Sequence, residues 1–182
     1  MKVTNREAGV LVPGDADLSW KVVASADFNS DTKPDLLWRQ DGTGALQVWL
    51  LDGTSQVGKA VPNPGVLADL NWQLAAAGDL SGDGKPDLLW RHQVSGALVA
   101  WLMDGIVRTS GTYLTPSALA DLNWQVVGTW DADGDHQGDI VWQHATSGKL
   151  VTWLMDGTTR RCGTYLSPRG PEDQDWQAVG PR

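Results

Sequence analysis

The feature that most constrains this chain is an uninterrupted repeat of 52 residues. Ten of the eleven tryptophans and most of the aspartates obey this step. The equivalent sets are Trp20, Trp72, Trp124 and Trp176; Asp27, Asp79 and Asp131; Trp38, Trp90 and Trp142; and Trp49, Trp101 and Trp153. Self-similarity at a fixed period indicates like structural units that bury their apolar faces against their neighbours. The chain is therefore expected to fold as a tandem array, with the tryptophans at the same place in each packed layer.

Each repeat has the pattern of four short strands separated by turn signals. The second repeat shows it in NWQLAAAGDL, PDLLWRH, ALVAWLMDG and VRTSGTYL. A hairpin between the third and fourth strands is predicted at an Asp-Gly pair, since both residues tolerate the positive φ of a two-residue turn. These pairs are Asp52-Gly53, Asp104-Gly105 and Asp156-Gly157. A second hairpin, between the second and third strands, is predicted at Thr43-Gly44, Ser95-Gly96 and Ser147-Gly148.

The strands are apolar on both faces, so each four-stranded sheet needs cover on both sides. Leu36, Leu37 and Trp38 illustrate this in the first repeat. Blades of four antiparallel strands in a β-propeller meet that need, because radial stacking covers both faces and leaves only short edges. A parallel β-helix is the alternative, but its repeats are much shorter than 52 residues. The sequence therefore predicts an all-β fold of propeller blades.

Three repeats cannot close a ring, so the array needs further partners. One domain, residues 1–182, is predicted, with repeats at 20–71, 72–123 and 124–175. Residues 1–19 would hold the leading strand of a partial blade, near Val3 to Leu11, and residues 176–182 the first strand of another, at Trp176 to Val179. The ring is expected to close by self-association, most simply as a two-fold dimer, or by blades of a longer propeller.

Charge and composition exclude several classes of partner. The net charge is −8, with 22 acidic against 14 basic residues, which opposes the phosphate backbone of nucleic acid. No segment has the length and apolar character of a membrane span. Cys162 is the single cysteine and cannot form an intrachain disulfide; it is expected to be an isolated thiol in a strand.

Much of the acidity lies in three nine-residue loops between the first and second strands of the repeats. These loops are DFNSDTKPD, DLSGDGKPD and DADGDHQGD, with side-chain oxygens at positions 1, 3, 5 and 9. Calcium binds six to eight oxygen ligands, and a tight loop with alternate side chains turned inward and a carbonyl at position 7 supplies them. Good turn formation is the structural alternative, but it does not require four oxygen side chains in nine residues.

The loops therefore predict up to three calcium sites. The first would use Asp27, Asn29, Asp31 and Asp35 with the carbonyl of Lys33; the second Asp79, Ser81, Asp83 and Asp87 with the carbonyl of Lys85; and the third Asp131, Asp133, Asp135 and Asp139 with the carbonyl of Gln137. Only the third has four carboxylates, and ligand charge raises affinity, so it is expected to bind most tightly.

The loops, the tryptophan seven residues before each loop, and the D-L-L-W-R strand resemble the FG-GAP or VCBS repeats of integrin α-subunit heads, certain lectins and many secreted bacterial proteins. The resemblance covers nearly the whole chain. It implies a propeller, often of seven blades, with calcium in the loops and an extracellular or cell-surface setting. The family usually has Gly at loop position 6, where this chain has Thr32, Gly84 and His136.

Trp130 is the one tryptophan outside the repeat pattern. Its equivalents are Ala26 and Gly78, while Ala132, two residues later, replaces Phe28 and Leu80. A large-for-small exchange between packed neighbours explains this, and an exposed ring for sugar stacking is the alternative.

Catalysis is not expected, because no motif for nucleophile, metal or phosphate chemistry is present. His92 and His144 are the same position in successive repeats, which indicates repetition and not a catalytic set. The leading hypothesis is a calcium-stiffened module that binds carbohydrate, with Arg39 and Arg91 as candidate planar contacts that become Gln143 in the third repeat. An integrin-type module for protein adhesion or assembly, and a scaffold without further ligand, are the alternatives.

Overall fold

The computed structural model describes residues 17–166, which form twelve β-strands and no helix. The first blade consists of β1 (Trp20–Ala26), β2 (Asp35–Gln40), β3 (Leu46–Asp52) and β4 (Ser55–Ala60). The second consists of β5 (Trp72–Gly78), β6 (Asp87–His92), β7 (Ala97–Asp104) and β8 (Val107–Ala118). The third consists of β9 (Trp124–Trp130), β10 (Asp139–His144), β11 (Leu150–Asp156) and β12 (Thr159–Tyr165). The prediction of four strands per repeat is confirmed.

Each blade is an antiparallel meander in which consecutive strands are neighbours. The first strand carries a bulge at the same place in every blade, for example between Val22 and Ala24 and between Leu74 and Ala76. The repeat thus extends to the irregularities of the backbone. This all-β arrangement is that of β-propeller blades, as predicted.

The hydrophobic cores lie between the blades. Leu37 and Val48 of the first blade pack with Trp90 and Trp101 of the second. One repeat later, Leu89 and Ala100 belong to the same cluster as Trp142 and Trp153. Trp90 and Trp142 are fully buried, because each faces a neighbouring sheet and not solvent. Stacking of the blades therefore covers the apolar sheet faces, as the sequence analysis predicted.

Neighbouring blades are also joined at their outer strands. Asn63, after β4, forms a parallel bridge with Val107 of β8, and Thr115 of β8 forms the equivalent bridge with Thr159 of β12. The N–H of Asn63 donates to the carbonyl of Ile106 at 2.9 Å. The parallel bridge at Thr115 makes the second and third blades one continuous eight-stranded sheet.

The turn between the third and fourth strands of each blade differs from the predicted form. Asp52 pairs with Ser55, so the two loop residues are Gly53 and Thr54, and positive φ occurs at Gly53 but not at Asp52. Gly105 and Gly157 repeat this geometry. A left-handed residue at the first loop position is the type II′ pattern, whereas an Asp-Gly loop would need positive φ at both. The hairpin was placed correctly, but its register was wrong by one residue.

The proposed partial strands, Val3 to Leu11 and Trp176 to Val179, lie outside the described residues. Cys162 is an exposed free thiol in β12, as expected. In the part of the chain that the structure covers, no helix has the length and apolarity needed to cross a membrane.

Candidate metal loops and inter-blade grooves

The three acidic loops connect the first and second strands of the blades, and each folds around its first aspartate. Asp79 accepts the N–H groups of Gly82 and Asp83 at its Oδ1, over 2.7 and 3.1 Å, and that of Gly84 at its Oδ2, over 2.7 Å. In the first loop, Asp27 accepts the N–H of Thr32 at 2.7 Å. Asp131 accepts the equivalent N–H of His136 at 3.0 Å, so the three loops share one backbone fold.

Positions 4 and 6 of every loop have left-handed backbone conformation. Position 6 is Thr32 at φ 68°, Gly84 at 82° and His136 at 66°. A side chain at such a φ is strained, most of all a β-branched one, which explains why the sequence pattern favours glycine there. Thr32 and His136 are not the glycine that the family usually has at position 6, but their backbone has the same left-handed conformation as that of Gly84.

The last aspartate of each loop is fully buried and joins the loop to the third strand. Asp87 Oδ2 accepts the N–H of Leu80 at 3.0 Å, and its Oδ1 accepts that of Met103 at 2.8 Å. Asp35 and Asp139 make the same pair of contacts. Burial raises the pKa of all three carboxyl groups, although the backbone N–H donors oppose the rise. These carboxylates hold the blade together whatever else they bind.

In the third loop, three carboxylates approach a metal-site arrangement. Oxygens of Asp131, Asp133 and Asp139 lie within 4.8 Å of one another. Asn29 and Ser81 stand where the third loop has Asp133, and they also offer oxygen. A set made only of hard oxygen donors is chemically suited to calcium. The side-chain oxygens would bind the ion, and its positive charge would offset the repulsion between the carboxylates.

Position 7 of each loop is tied to the turn between the third and fourth strands. Lys33 pairs with Asp52 at 2.9 Å, and Lys85 pairs with Asp104 at 2.7 Å. In the third loop, Gln137 Oε1 instead accepts the N–H of Gly157 at 2.6 Å. The side chain at position 7 therefore anchors each loop to its own blade. The role of the position-7 backbone carbonyl as a calcium ligand stays a prediction.

Arg39 and Arg91 lie at the blade interfaces and not on an exposed surface, with 5% of each residue accessible. Arg39 donates from Nη1 to the carbonyl of Trp72 at 2.5 Å, and its guanidinium lies 5.7 Å from the ring centre of Trp90. Arg91 makes the same contacts one repeat later, with the carbonyl of Trp124 and the ring of Trp142. They connect each blade to the first strand of the next.

The same groove occurs at both interfaces. The first, of about 190 Å³, is lined in part by Arg39, Leu70 and Gln73, and the second, of about 170 Å³, by the equivalent Arg91, Leu122 and Gln125. Gln73 lines both. Of the residues that line these grooves, sequence analysis singled out only the arginines as candidate ligand contacts; the repeated glutamines and leucines become recognisable when residues 52 apart are compared on the blades.

Each groove arginine keeps one donor without a partner. The Nε–H groups of Arg39 and Arg91 are buried and make no hydrogen bond within the described residues. A buried donor without a partner costs free energy, so an acceptor is expected close to each. A buried water molecule can supply it.

Trp130 is 51% exposed. At its equivalent, Gly78, an added Cβ would lie 2.3 Å from Thr129 Oγ1 of the next blade. Ala132 is exposed too, whereas Phe28 and Leu80 are buried. Trp130 and Ala132 lie on the side of the third blade that no described blade covers, so the interpretation of Trp130 as a packing exchange stays a prediction.

A hydrogen-bonded triplet of side chains, which sequence analysis missed, consists of Asp69, His92 and Ser95. His92 Nε2 lies 3.3 Å from Asp69 Oδ2, and Nδ1 lies 3.1 Å from Ser95 Oγ. Nδ1 also accepts the N–H groups of Val94 and Ser95 at 3.3 and 3.1 Å. The third blade has the same triplet in Asp121, His144 and Ser147.

This triplet of side chains fixes the turn between the second and third strands. In the first blade Gln40 replaces the histidine: its Nε2 lies 3.4 Å from Asp17 Oδ2, and its Oε1 accepts the hydroxyl of Thr43 at 2.7 Å. An amide cannot act as a general base, yet it makes the same links. Nδ1 of His92 is moreover occupied by backbone donors. The arrangement is therefore architectural, despite its order of serine, histidine and aspartate.

Stacked four-stranded blades with an acidic loop after each first strand define a repeat protein of the β-propeller type. Residues 10–90 match the family model of the FG-GAP-like repeat. The predicted resemblance to FG-GAP repeats is thereby confirmed over the first repeat and the start of the second. No curated protein and no solved structure matches the chain.

Proposed function

We propose that this chain is a non-catalytic recognition module that binds calcium in its acidic loops and carbohydrate in the grooves between its blades. The observation that carries the proposal is the repetition of one groove, with equivalent arginine, glutamine and leucine side chains, at both interfaces. A site that recurs at each blade suits a ligand that also consists of like units.

The chemistry of the grooves suits a ligand rich in hydroxyl groups. Gln73 and Gln125 offer hydrogen-bond donors and acceptors to a ligand in the grooves. The exposed side chains of Leu70 and Leu122 add apolar surface for the C–H face of a sugar ring. Both grooves are smaller than the about 300–1,000 Å³ of pockets for drug-sized ligands, so each would hold one small unit.

Small open grooves bind weakly one by one and gain affinity when several are occupied by one surface. Binding is therefore expected to depend on the density at which the glycan is displayed. Calcium would act structurally, by fixing the loops that position each blade, and would not touch the sugar. The resemblance to FG-GAP repeats supports an extracellular or cell-surface setting for such a protein.

The test compares soluble monosaccharides with a polyvalent glycan array, with and without calcium. Gln73→Ala should weaken binding most, because Gln73 lines both grooves, and Gln125→Ala should weaken it less, because Gln125 lines one. Ser110→Ala, on the exposed outer strand β8, is the matched control. Absence of glycan binding in both formats would overturn the carbohydrate proposal.

The roles of calcium and sugar separate in the loop variants. Asp131→Asn with Asp135→Asn should lower thermal stability in calcium before it affects sugar binding. A fully stable double variant that loses sugar would mean that calcium contacts the ligand directly.

One observation favours a second candidate, a module for protein adhesion or assembly. The exposed Trp130 precedes the third loop and has no equivalent in the other blades, and such unique aromatic residues are enriched among interface hot spots. Trp130→Ala should leave glycan binding in the grooves unchanged. If instead no glycan binds and the variant loses a protein partner, adhesion is the function.

A further inference from the structure

Arg161 on β12 reaches the third acidic loop and contacts two of its carboxylates. Its Nη2 donates to Asp135 Oδ2 at 3.0 Å and makes a shorter contact with Asp133 Oδ2. Its Nε donates to the carbonyl of Met155 at 3.1 Å, which fixes the direction of the guanidinium. The side chain of Arg161 is 45% exposed, and those of Asp133 and Asp135 are 28% and 26% exposed.

Among residues 17–166, no basic side chain forms such ion pairs with two carboxylates of the first or second loop. The residues equivalent to Arg161 are Val57 in the first blade and Thr109 in the second. Val57 carries no charge, and the hydroxyl of Thr109 donates to the carbonyl of Leu102 at 3.0 Å. The basic residues of those loops, Lys33 and Lys85, instead pair with the aspartates of the hairpin turns.

We propose that Arg161 is a built-in counter-cation that competes with calcium for the third loop; this rests on the proposed calcium binding. Arg161 neutralises part of the charge of Asp133 and Asp135 when the metal is absent. A calcium ion bound by the same carboxylates would lie close to a fixed positive charge, which repels it. The third loop therefore binds calcium most weakly, although its count of four carboxylates predicts the opposite.

The arginine also gives the third loop order that does not depend on calcium. Carboxylates held close together repel one another, and the cations of the first and second loops, Lys33 and Lys85, form their ion pairs with aspartates of the hairpin turns. In the third loop, Arg161 pairs directly with two of the loop carboxylates. Chelation should consequently loosen the first two loops more than the third.

The experiment measures calcium by titration calorimetry and stability by thermal melting in chelator, for the wild-type chain, Arg161→Gln and Arg160→Gln. Arg160 is the matched control: it is the adjacent residue, its loss changes the net charge equally, and its guanidinium lies 4.8 Å from the ring centre of Trp153, away from the loop. Arg161→Gln should bind one calcium ion about tenfold or more tightly than the wild type and melt lower in chelator. Arg160→Gln should match the wild type in calcium affinity.

Equal calcium affinity in Arg161→Gln and the wild type would overturn the inference and leave the proposed calcium binding intact. Absence of calcium binding in every variant would overturn both. A wild-type chain that binds one ion fewer than Arg161→Gln would support the inference in its strongest form. If Arg161→Gln does not fold, Arg161→Lys serves instead, since a lysine keeps the charge but not the planar fork, and an intermediate calcium affinity is expected.

Discussion

Arg39 donates a hydrogen bond of 2.5 Å to the carbonyl oxygen of Trp72, the residue that begins the next blade. The donor belongs to the second strand of one blade and the acceptor to the first strand of its neighbour. The pair therefore fixes one blade against the next, together with the shared hydrophobic core and the bridge between the outer strands. The same relation holds between Arg91 and Trp124.

Replacing one of these arginines should uncouple two blades. Arg91→Gln leaves the carbonyl of Trp124 without its donor and removes the cation above the ring of Trp142. We expect a loss of about 1–3 kcal/mol in the free energy of unfolding, measured by denaturant titration. Arg108→Gln, an exposed residue whose guanidinium lies over Trp101, is the control and should cost less. Equal losses in the two variants would contradict the proposed coupling.

The buried aspartates should be needed for stability even without calcium. Asp87→Asn places an amide NH₂ where one of two backbone N–H groups now meets a carboxylate oxygen, so one donor faces another. A loss of about 1–3 kcal/mol in chelator is expected. Asp83→Asn, in the exposed part of the same loop, should be nearly neutral in chelator and harmful only to metal binding. Chelator-treated Asp87→Asn with wild-type stability would show that this bridge is unimportant.

Calcium should stabilise the chain through up to three loops. Because the folded loops bind and the unfolded chain scarcely does, each site adds about 2.7 kcal/mol at a hundredfold excess of calcium over Kd. The melting temperature should rise with calcium concentration and fall in chelator. A melting curve that ignores chelator, with a flat calorimetric titration, would exclude the metal sites.

The loss of folding stability at low pH should depend on Asp69 and Asp121, the aspartates in the connections between blades. The N–H of Asn71 lowers the pKa of Asp69, and that of Asn123 lowers the pKa of Asp121, each with further help from a histidine. A lowered pKa gives stability that is present above the unfolded value of 3.8 and is lost as the pH falls through the folded value. Asp69→Asn with Asp121→Asn should therefore be less stable than the wild type at neutral pH and converge with it in acid.

Chelator melts between pH 2 and 7 measure this difference. Asp35, Asp87 and Asp139 shift in the opposite direction, so their contribution grows as the pH falls towards 3.8. It is common to both proteins and cancels in the comparison. A constant difference across the range would show that Asp69 and Asp121 do not titrate as described.

Self-association is expected because the third blade presents an apolar face that the described residues leave uncovered. Trp130, which is 51% exposed, lies on this face, since its equivalent Gly78 contacts Thr129 of the following blade. Light scattering at micromolar concentration should give a dimer, and Trp130→Glu should shift it towards monomer. Val94→Glu, on an exposed hairpin, should not. A monomeric wild-type chain would contradict this prediction.

The sequence predicts the blades better than it predicts what happens between them. Tryptophan spacing and two-faced apolar strands were sufficient for the four-stranded meander, because the local pattern and the packed face coincide there. Arg39 and Arg161 were misjudged or missed, since the contacts of each depend on a residue that is distant in sequence or on a neighbouring blade. The Asp-Gly hairpins were placed one residue early, because an Asp-Gly loop suits a type I′ turn, a loop that begins at the Gly suits a type II′ turn, and both turns are favoured in two-residue hairpins.

The parallel bridges at Asn63 and Thr115 bear on how such a chain can change length. Each joins a residue to one 44 positions ahead, and each arginine contact spans 33. A genetic duplication or deletion of 52 residues, wherever its endpoints fall within the uniform part of the array, therefore recreates every joint that it cuts. Trp130, Gln143 and Arg161 interrupt that uniformity in the third repeat. A further repeat inserted before the third would therefore be compatible with its neighbours. A duplicate of the third repeat would instead place Trp130 at an interface where the second blade has a glycine against its neighbour.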